Sequence, residues 1–265
     1  MKWIAPLGLL TMLLTGAADA NAQVSYSRRL KGSELGWVTS NATGIVRWDD
    51  GGWIFRGSGA VARDSRLVYT CAHVLEDDGT MAAPGDIEFL RAWHSPYSPN
   101  TGDGVAPRSY RYFTGYASAA ARYGTADRQA FHLDFVILVG YSPFGSPQPF
   151  YPGTGARAVA SGNWKYTGGY PATLNYTGAD GYYYQHRTPF FDQPASKNFG
   201  TYYGLSRVST GGGNSGGPVW VYDSRHRRWG LAAVHVSGTR TTSGIHVLDS
   251  SAQSMGTHAI GDANQ

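Results

Sequence analysis

The chain has 265 residues, a formal net charge of +4, 15% charged residues, 36 Gly, 18 Tyr and 8 Trp, a balance that suits a glycine-punctuated all-β protein better than a helical one. So small a basic surplus does not mark a nucleic-acid binder, which needs a clustered face. Cys71 is the sole cysteine, which excludes an intramolecular disulfide and any zinc site built on a cysteine pair.

Lys2, the apolar run 4–14 and the small residues ending in Ala18-Asp19-Ala20 or Ala20-Asn21-Ala22 read as a secretory signal over residues 1–22, so export is expected. The run is too short for a membrane anchor and contains Pro6 and Gly8. Residues 23–37 form a polar, basic N-terminal arm or propeptide. Residues 45–48 and 53–55 flank Asp49-Asp50-Gly51-Gly52, a hairpin signal. Residues 59–62 and 66–69 read as a strand pair, 86–93 as a further strand, 95–105 as a loop, and 117–122 as a short helical or irregular insertion. Residues 131–139 close a first lobe that spans 38–140. Residues 141–155, with Pro143, Pro147 and Pro152, read as a linker.

The second lobe spans 156–250, with candidate strands at 156–160, 181–186, before Ser209, and at 219–222, 229–235 and 244–247. Residues 251–265 are a polar tail, read with Ser250 as a short helix that frays. The basic cluster Arg225-His226-Arg227-Arg228 falls between two strands and reads as a solvated hairpin tip. Tyr182, Tyr183, Tyr184, Tyr202 and Tyr203 could stack sugars or peptides, but such residues more often fill a barrel and its rim.

Three segments carry chemistry. A serine hydroxyl is a poor nucleophile at neutral pH; it needs a base to take its proton and a third group to orient that base. Ser215 sits in the nest Gly213-Asn214-Ser215-Gly216-Gly217-Pro218, where glycines let backbone N–H groups face a developing oxyanion. His73 lies upstream in the small-residue turn Thr70-Cys71-Ala72-His73. Asp134 lies between them, in an apolar strand from Phe131 to Val139. The order His, Asp, Ser is that of the chymotrypsin-type proteases.

In these motifs the chain resembles the chymotrypsin-like serine endopeptidases, and within them the bacterial branch that includes the glutamyl endopeptidases. Thr70-Cys71-Ala72-His73 is similar to the family's T/S-A-A-H turn, with Cys71 in place of a small residue. Leu133-Asp134-Phe135-Val136-Ile137-Leu138 is similar to its D-I-A-L-L strand, and the segment around Ser215 to its G-D/N-S-G-G-P signature. The resemblance covers roughly residues 44–248. It implies an all-β fold of two packed antiparallel six-stranded β-barrels with the active site in the cleft between them. It also implies a triad of His73, Asp134 and Ser215, with the N–H groups of Gly213 and Ser215 as the oxyanion hole. In that family the pocket floor lies six residues before the nucleophile; here it is Ser209 rather than the Asp that selects Lys or Arg. Thr210 and His235 match positions at which glutamyl endopeptidases hold a substrate carboxylate, and the resemblance implies Ser209, Thr210, His235 and Gly238 as the substrate-binding residues. Twenty residues separate Ser215 from His235, more than is typical, so the hairpin carrying residues 225–228 must absorb the excess.

Other readings compete. Gly213-Asn214-Ser215-Gly216-Gly217 also fits G-x-S-x-G, the nucleophile elbow of α/β-hydrolases, but that fold needs its acid and His after the serine, and only fifty residues follow. Cys71 beside His73 makes a thiol nucleophile conceivable, yet the glycine nest surrounds Ser215 and a small buried thiol serves as filler. Glu76-Asp77-Asp78-Gly79 and Asp49-Asp50-Gly51 are read as turns before calcium loops. No His pair has zinc spacing, so no metal and no cofactor are expected. The expectation is a secreted, extracellular or periplasmic monomer acting on protein or peptide substrates, with no nucleic-acid or membrane partner. The alternative is a catalytically inactive homologue binding peptide or glycan.

Overall fold

In the computed structural model, which describes residues 28–30, 33–34, 37–92, 104–151, 153–171, 186–187, 192–208, 210–239 and 241–265, two antiparallel sheets carry the chain. Ser209, the tyrosines at 182–184 and the signal segment lie outside the described residues. The strands in chain order are β1 (Arg28–Arg29), β2 (Thr43–Asp50), β3 (Trp53–Val61), β4 (Leu67–Thr70), β5 (Glu76–Asp77), β6 (Thr80–Met81), β7 (Ile87–Arg91), β8 (Pro107–Tyr112) and β9 (Val136–Gly140). They continue with β10 (Lys165–Gly169), β11 (His186–Arg187), β12 (Ser196–Phe199), β13 (Tyr202–Ser206), β14 (Pro218–Asp223), β15 (Arg228–Gly238) and β16 (Thr242–Val247).

The first sheet has the order β7-β2-β3-β4-β9-β8. Its leading hairpin turns at Gly51 and Gly52, both at positive φ (58° and 94°), so β2 and β3 pair from Thr43↔Ala60 to Asp50↔Trp53. Two positive φ angles give the turn the twist that a strand pair requires. The sheet curls until Phe89 of β7 bridges Val105, just ahead of β8. The second sheet runs β10-β14-β15-β16-β13-β12, with β11 and β1 added at the β10 edge. This is the two-barrel architecture expected from the sequence.

β4 and β9 explain why their sequences are continuously apolar: both faces are covered. Val68, Val136 and Leu138 point into the first barrel with Val46, Ile87 and Phe89. The alternate residues Leu67, Tyr69, Phe135, Ile137 and Val139 face the other way, onto Trp220, Leu231 and Val234 of the second sheet. Each such side chain contributes roughly 1.5–3 kcal/mol on burial, so the seam between the sheets is held as firmly as their interiors. The seam fixes Asp134, which immediately precedes Phe135, at its mouth.

Two readings need correction. Residues 156–160 lie not in a strand but in the helix Gly155–Ala160, whose N-cap Thr154 accepts from the Arg157 N–H. A five-residue apolar run carries too little period to separate the two states. Residues 131–134 lie not in the strand read at 131–139 but in the helix Arg128–Phe131 and the turn after it, so Asp134 precedes β9. The expected C-terminal helix is Ser250–Ala263, fourteen residues that bury Ala252, Gly256, Ala259 and Ala263. Four arginines of the first barrel and its flanks hold it. Arg63 donates to Gln253 O (2.7 Å) and Thr257 Oγ1 (2.8 Å), Arg66 to Ala263 O and Asn264 Oδ1, Arg108 to Asp262 O, and Arg111 pairs with the Asp262 carboxylate. Cations at the last carbonyls also complement the helix dipole.

Candidate active site

β4 ends at Thr70, whose Oγ1 donates to Ser58 O (2.7 Å), and the chain then tightens into the short 3-10 turn Ala72–Val74. Trp48 Nε1 donates to Val74 O (2.8 Å) and fixes the far side of that turn. Asp134 follows a helical turn, Arg128–Phe131, started by the Asp127 cap on the Gln129 N–H. Asp134 is fully buried, and both of its carboxylate oxygens face His73. Oδ1 accepts the His73 backbone N–H (2.9 Å) and Oδ2 meets Nδ1 (2.5 Å). A buried carboxylate costs several kcal/mol unless paired, so these two bonds satisfy its oxygens and hold the ring in place. Burial alone would lower the His73 pKa, but the Asp134 charge and hydrogen bond outweigh it and raise it well above the ordinary histidine value.

The loop carrying Ser215 docks onto the same strands. Ser58 N donates to Ser215 O (2.7 Å), Ser58 Oγ to Gly213 O (2.8 Å), and Tyr170 N to Ser58 Oγ (2.9 Å). Gly216 N donates to His235 O (2.8 Å) and His235 N to Gly217 O (2.9 Å), so the loop is tied to β15 as well. A Cβ built on Gly57 would lie 2.9 Å from Ser215 O and 2.4 Å from a Val74 methyl, so the serine and the histidine turn pack on one glycine. Among the described residues the N–H groups of Gly213 and Ser215 donate to no acceptor, and no hydrogen bond joins Ser215 Oγ to His73. His73 Nε2 instead has Cys71 Sγ at 3.8 Å. Cys71 is fully buried, and burial pushes its thiol pKa up, which leaves it a poor nucleophile.

The other sequence-predicted positions divide. Thr210 is buried, its Oγ1 has no hydrogen-bond partner among the described residues, and it lies against Gly238, where a Cβ would come 2.0 Å from that oxygen. His235 is buried on β15 with Nδ1 2.5 Å from Ser243 Oγ. No hydrogen bond between described residues connects His235 to Thr210. Asp78 and Gly79 form the tight turn of the β5–β6 hairpin, at φ 48° and 82°. That hairpin walls a cleft of about 550 Å³ beside His73, and Glu76, Asp77 and Asp78 line it.

Three residues escaped the sequence reading. Ser58 is the hub between the strand and the Ser215 loop; Ser243 orients His235 from the neighbouring strand. His246 is fully buried, its ring parallel to Phe135 at 5.1 Å between centroids, with Nδ1 3.3 Å from Thr201 Oγ1. Thr201 Oγ1 donates in turn to His132 O (2.5 Å), so this group braces the segment leading to Asp134 from the second sheet. Burial lowers the His246 pKa to about 4, and the ring is neutral at pH 7. Only pairing across strands brings these three into the site, and one sequence carries no signal for it.

Against solved structures, the chain is similar to the protease Anisep from Arthrobacter nicotinovorans, at 16% identity and a TM-score of 0.62 over 88% of this chain and 98% of that one. It is similar to a Glu endopeptidase bound to MPD, at 14% identity and a TM-score of 0.63, covering 88% and 95% of the two chains. A thermostable serine protease, AL20, from an extremophilic microorganism matches at 18% identity and a TM-score of 0.56, covering 83% and 97%. The chain has the chymotrypsin-like fold. No protein-family model and no curated protein sequence matches it. At these identities the likeness carries architecture alone, and chemistry must be argued from the residues. Here Asp134 is paired with His73, and the Ser215 loop is packed beside them through Gly57 and Ser58.

Proposed function

We propose that the chain is a serine endopeptidase in which His73, Asp134 and Ser215 form the triad. The observation that carries this reading is the pair of hydrogen bonds that the Asp134 carboxylate accepts from the backbone N–H and Nδ1 of His73, with the Ser215 loop packed against Gly57 beside the histidine turn. Asp134 fixes the tautomer, leaving Nε2 to take the Ser215 proton and pass it to the leaving amine. The Ser215–His73 bond is formed as the substrate seats, since catalytic hydrogen bonds tighten in the Michaelis complex. The N–H groups of Gly213 and Ser215 receive the oxyanion, and each such donor is worth roughly 10² to 10³ in rate. The protein acts after export, with residues 1–22 as its signal.

An organofluorophosphonate tests the reading directly. Ser215 should be the residue modified, found by peptide mass mapping, and a folded His73→Ala protein should remain unlabelled. An unmodified Ser215 in folded wild-type protein would favour the non-catalytic peptide- or glycan-binding alternative.

We further propose that the enzyme prefers to cleave after Glu. The buried Thr210 hydroxyl and the His235 imidazole, the latter oriented by Ser243, can donate to a substrate carboxylate, and such charge-assisted bonds discriminate against uncharged side chains. His235→Ala should lower kcat/KM for glutamyl substrates about 10–100-fold, the loss expected for one bond to a charged group. Substrates with Phe or Ala at the same position should change little. Equal wild-type turnover of all three would dispose of the preference.

A further inference from the structure

The imidazole that the proposed mechanism uses as a base has a thiol on its working side. Cys71 Sγ lies 3.8 Å from His73 Nε2, while Asp134 holds Nδ1. The donor atoms of Cys71, His73 and Asp134 all lie within 4.8 Å of one another. A metal-binding histidine characteristically gives its second ring nitrogen to a carboxylate, which fixes the tautomer and raises the basicity of the ligating nitrogen. His73 already has that arrangement.

The separation also fits. Zinc–sulfur and zinc–nitrogen bonds are about 2.3 Å and about 2.0–2.1 Å long. An ion spanning a sulfur and a nitrogen 3.8 Å apart then subtends an S–metal–N angle of about 120°, between trigonal and tetrahedral. Thiolate with imidazole is a soft donor set, selective for zinc-class ions over magnesium or calcium. The approach is suitable too: His73 is partly open to a cleft lined by Glu76, Asp77 and Asp78, which concentrates cations, whereas Cys71 has no exposed surface and is reached only past the ring.

We propose that Cys71 Sγ and His73 Nε2 form an inhibitory site for a zinc-class divalent cation. On binding, the Cys71 thiol releases its proton to solvent and coordinates as thiolate; where the ring is protonated, His73 also releases its Nε2 proton to solvent and then donates the Nε2 lone pair to the metal. That lone pair is the one Ser215 needs, so the bound enzyme cannot form an acyl intermediate until the ion is withdrawn. The inhibitory consequence rests on the serine endopeptidase reading; the binding itself does not.

The test adds Cd²⁺ and Zn²⁺ to the purified full chain. Wild-type protein should bind one Cd²⁺ per chain with the ultraviolet charge-transfer absorption of a cadmium–thiolate bond. Its peptide hydrolysis should fall at least tenfold in micromolar Zn²⁺ and return on adding a chelator. Cys71→Ala, which places a small residue in the turn, should show no such absorption and keep its hydrolysis within twofold in the same zinc. Cys71→Ser repeats the comparison at nearly constant side-chain size. Absence of the thiolate band in wild type, or equal zinc inhibition of wild type and Cys71→Ala, overturns the site. A chain that binds Cd²⁺ through Cys71 but hydrolyses no peptide retains the metal site and refutes the proposed function instead.

Discussion

Replacing Asp134 by Asn is expected to lower kcat/KM for peptide hydrolysis about 10⁴-fold, the size of loss seen when the orienting acid of a serine-protease triad is replaced by its amide. The cause lies in what the carboxylate does. Both of its oxygens accept from His73, and Oδ2 holds a proton on Nδ1 so that Nε2 is left basic. An amide can donate to Nδ1 instead, which puts the ring proton on Nε2 and points it at Ser215. The pH profile separates this from a general loss of structure. In wild type the raised His73 pKa keeps the ring protonated to a pH above the ordinary histidine range, and activity is lost as pH falls through that value. Without the Asp134 charge the acid limb should move to lower pH. A variant that retains the wild-type limb, or loses less than tenfold in rate, would show that Asp134 is not the orienting acid.

Gly216→Ala should be strongly destabilising, costing on the order of 3–5 kcal/mol. Gly216 sits at φ +78°, and its added Cβ would come 1.9 Å from Thr70 Oγ1 and 2.2 Å from Ser58 O. Those two atoms are hydrogen-bonded to each other, so there is no flexible side chain to give way. The backbone of the Ser215 loop must lift off the strand that leads to His73, and activity should fall with stability. Gly85→Ala serves as the control: nothing lies within 4 Å of its Cβ, and the change should stay within about 0.5 kcal/mol. Denaturant unfolding of the two variants measures the contrast.

Much of the architecture was legible because short-range physics wrote it. The turn at residues 49–52 fixed the register of β2 and β3, and the apolar run from Phe135 to Val139 marked β9, although residues 131–134, read as part of that strand, form the end of a helical turn and the loop that carries Asp134. The His73 and Ser215 motifs were legible for the same reason, since a tight turn and a glycine nest are local backbone requirements. What the sequence withheld depends on distant partners. Residues 250–265 read as a helix, but not as an anchored one, because the arginines that hold it, Arg63, Arg66, Arg108 and Arg111, lie some 150 to 200 residues upstream. Ser58, Ser243 and His246 gained their roles from strand pairings, and Cys71 looked like filler until its sulfur was placed against Nε2.

The arginine-held helix bears on biogenesis. His73 and Asp134 are made early, Ser215 late, and the helix from Ser250 later still, yet that helix is strapped to the earliest of these regions. A nascent polypeptide halted short of residue 250 would carry His73, Asp134 and Ser215 and still lack the helix that Arg63, Arg66, Arg108 and Arg111 anchor. If the proposed function holds, a chain ending before residue 250 should be less stable and cut peptides more slowly than the full chain, because its first barrel lacks this strap.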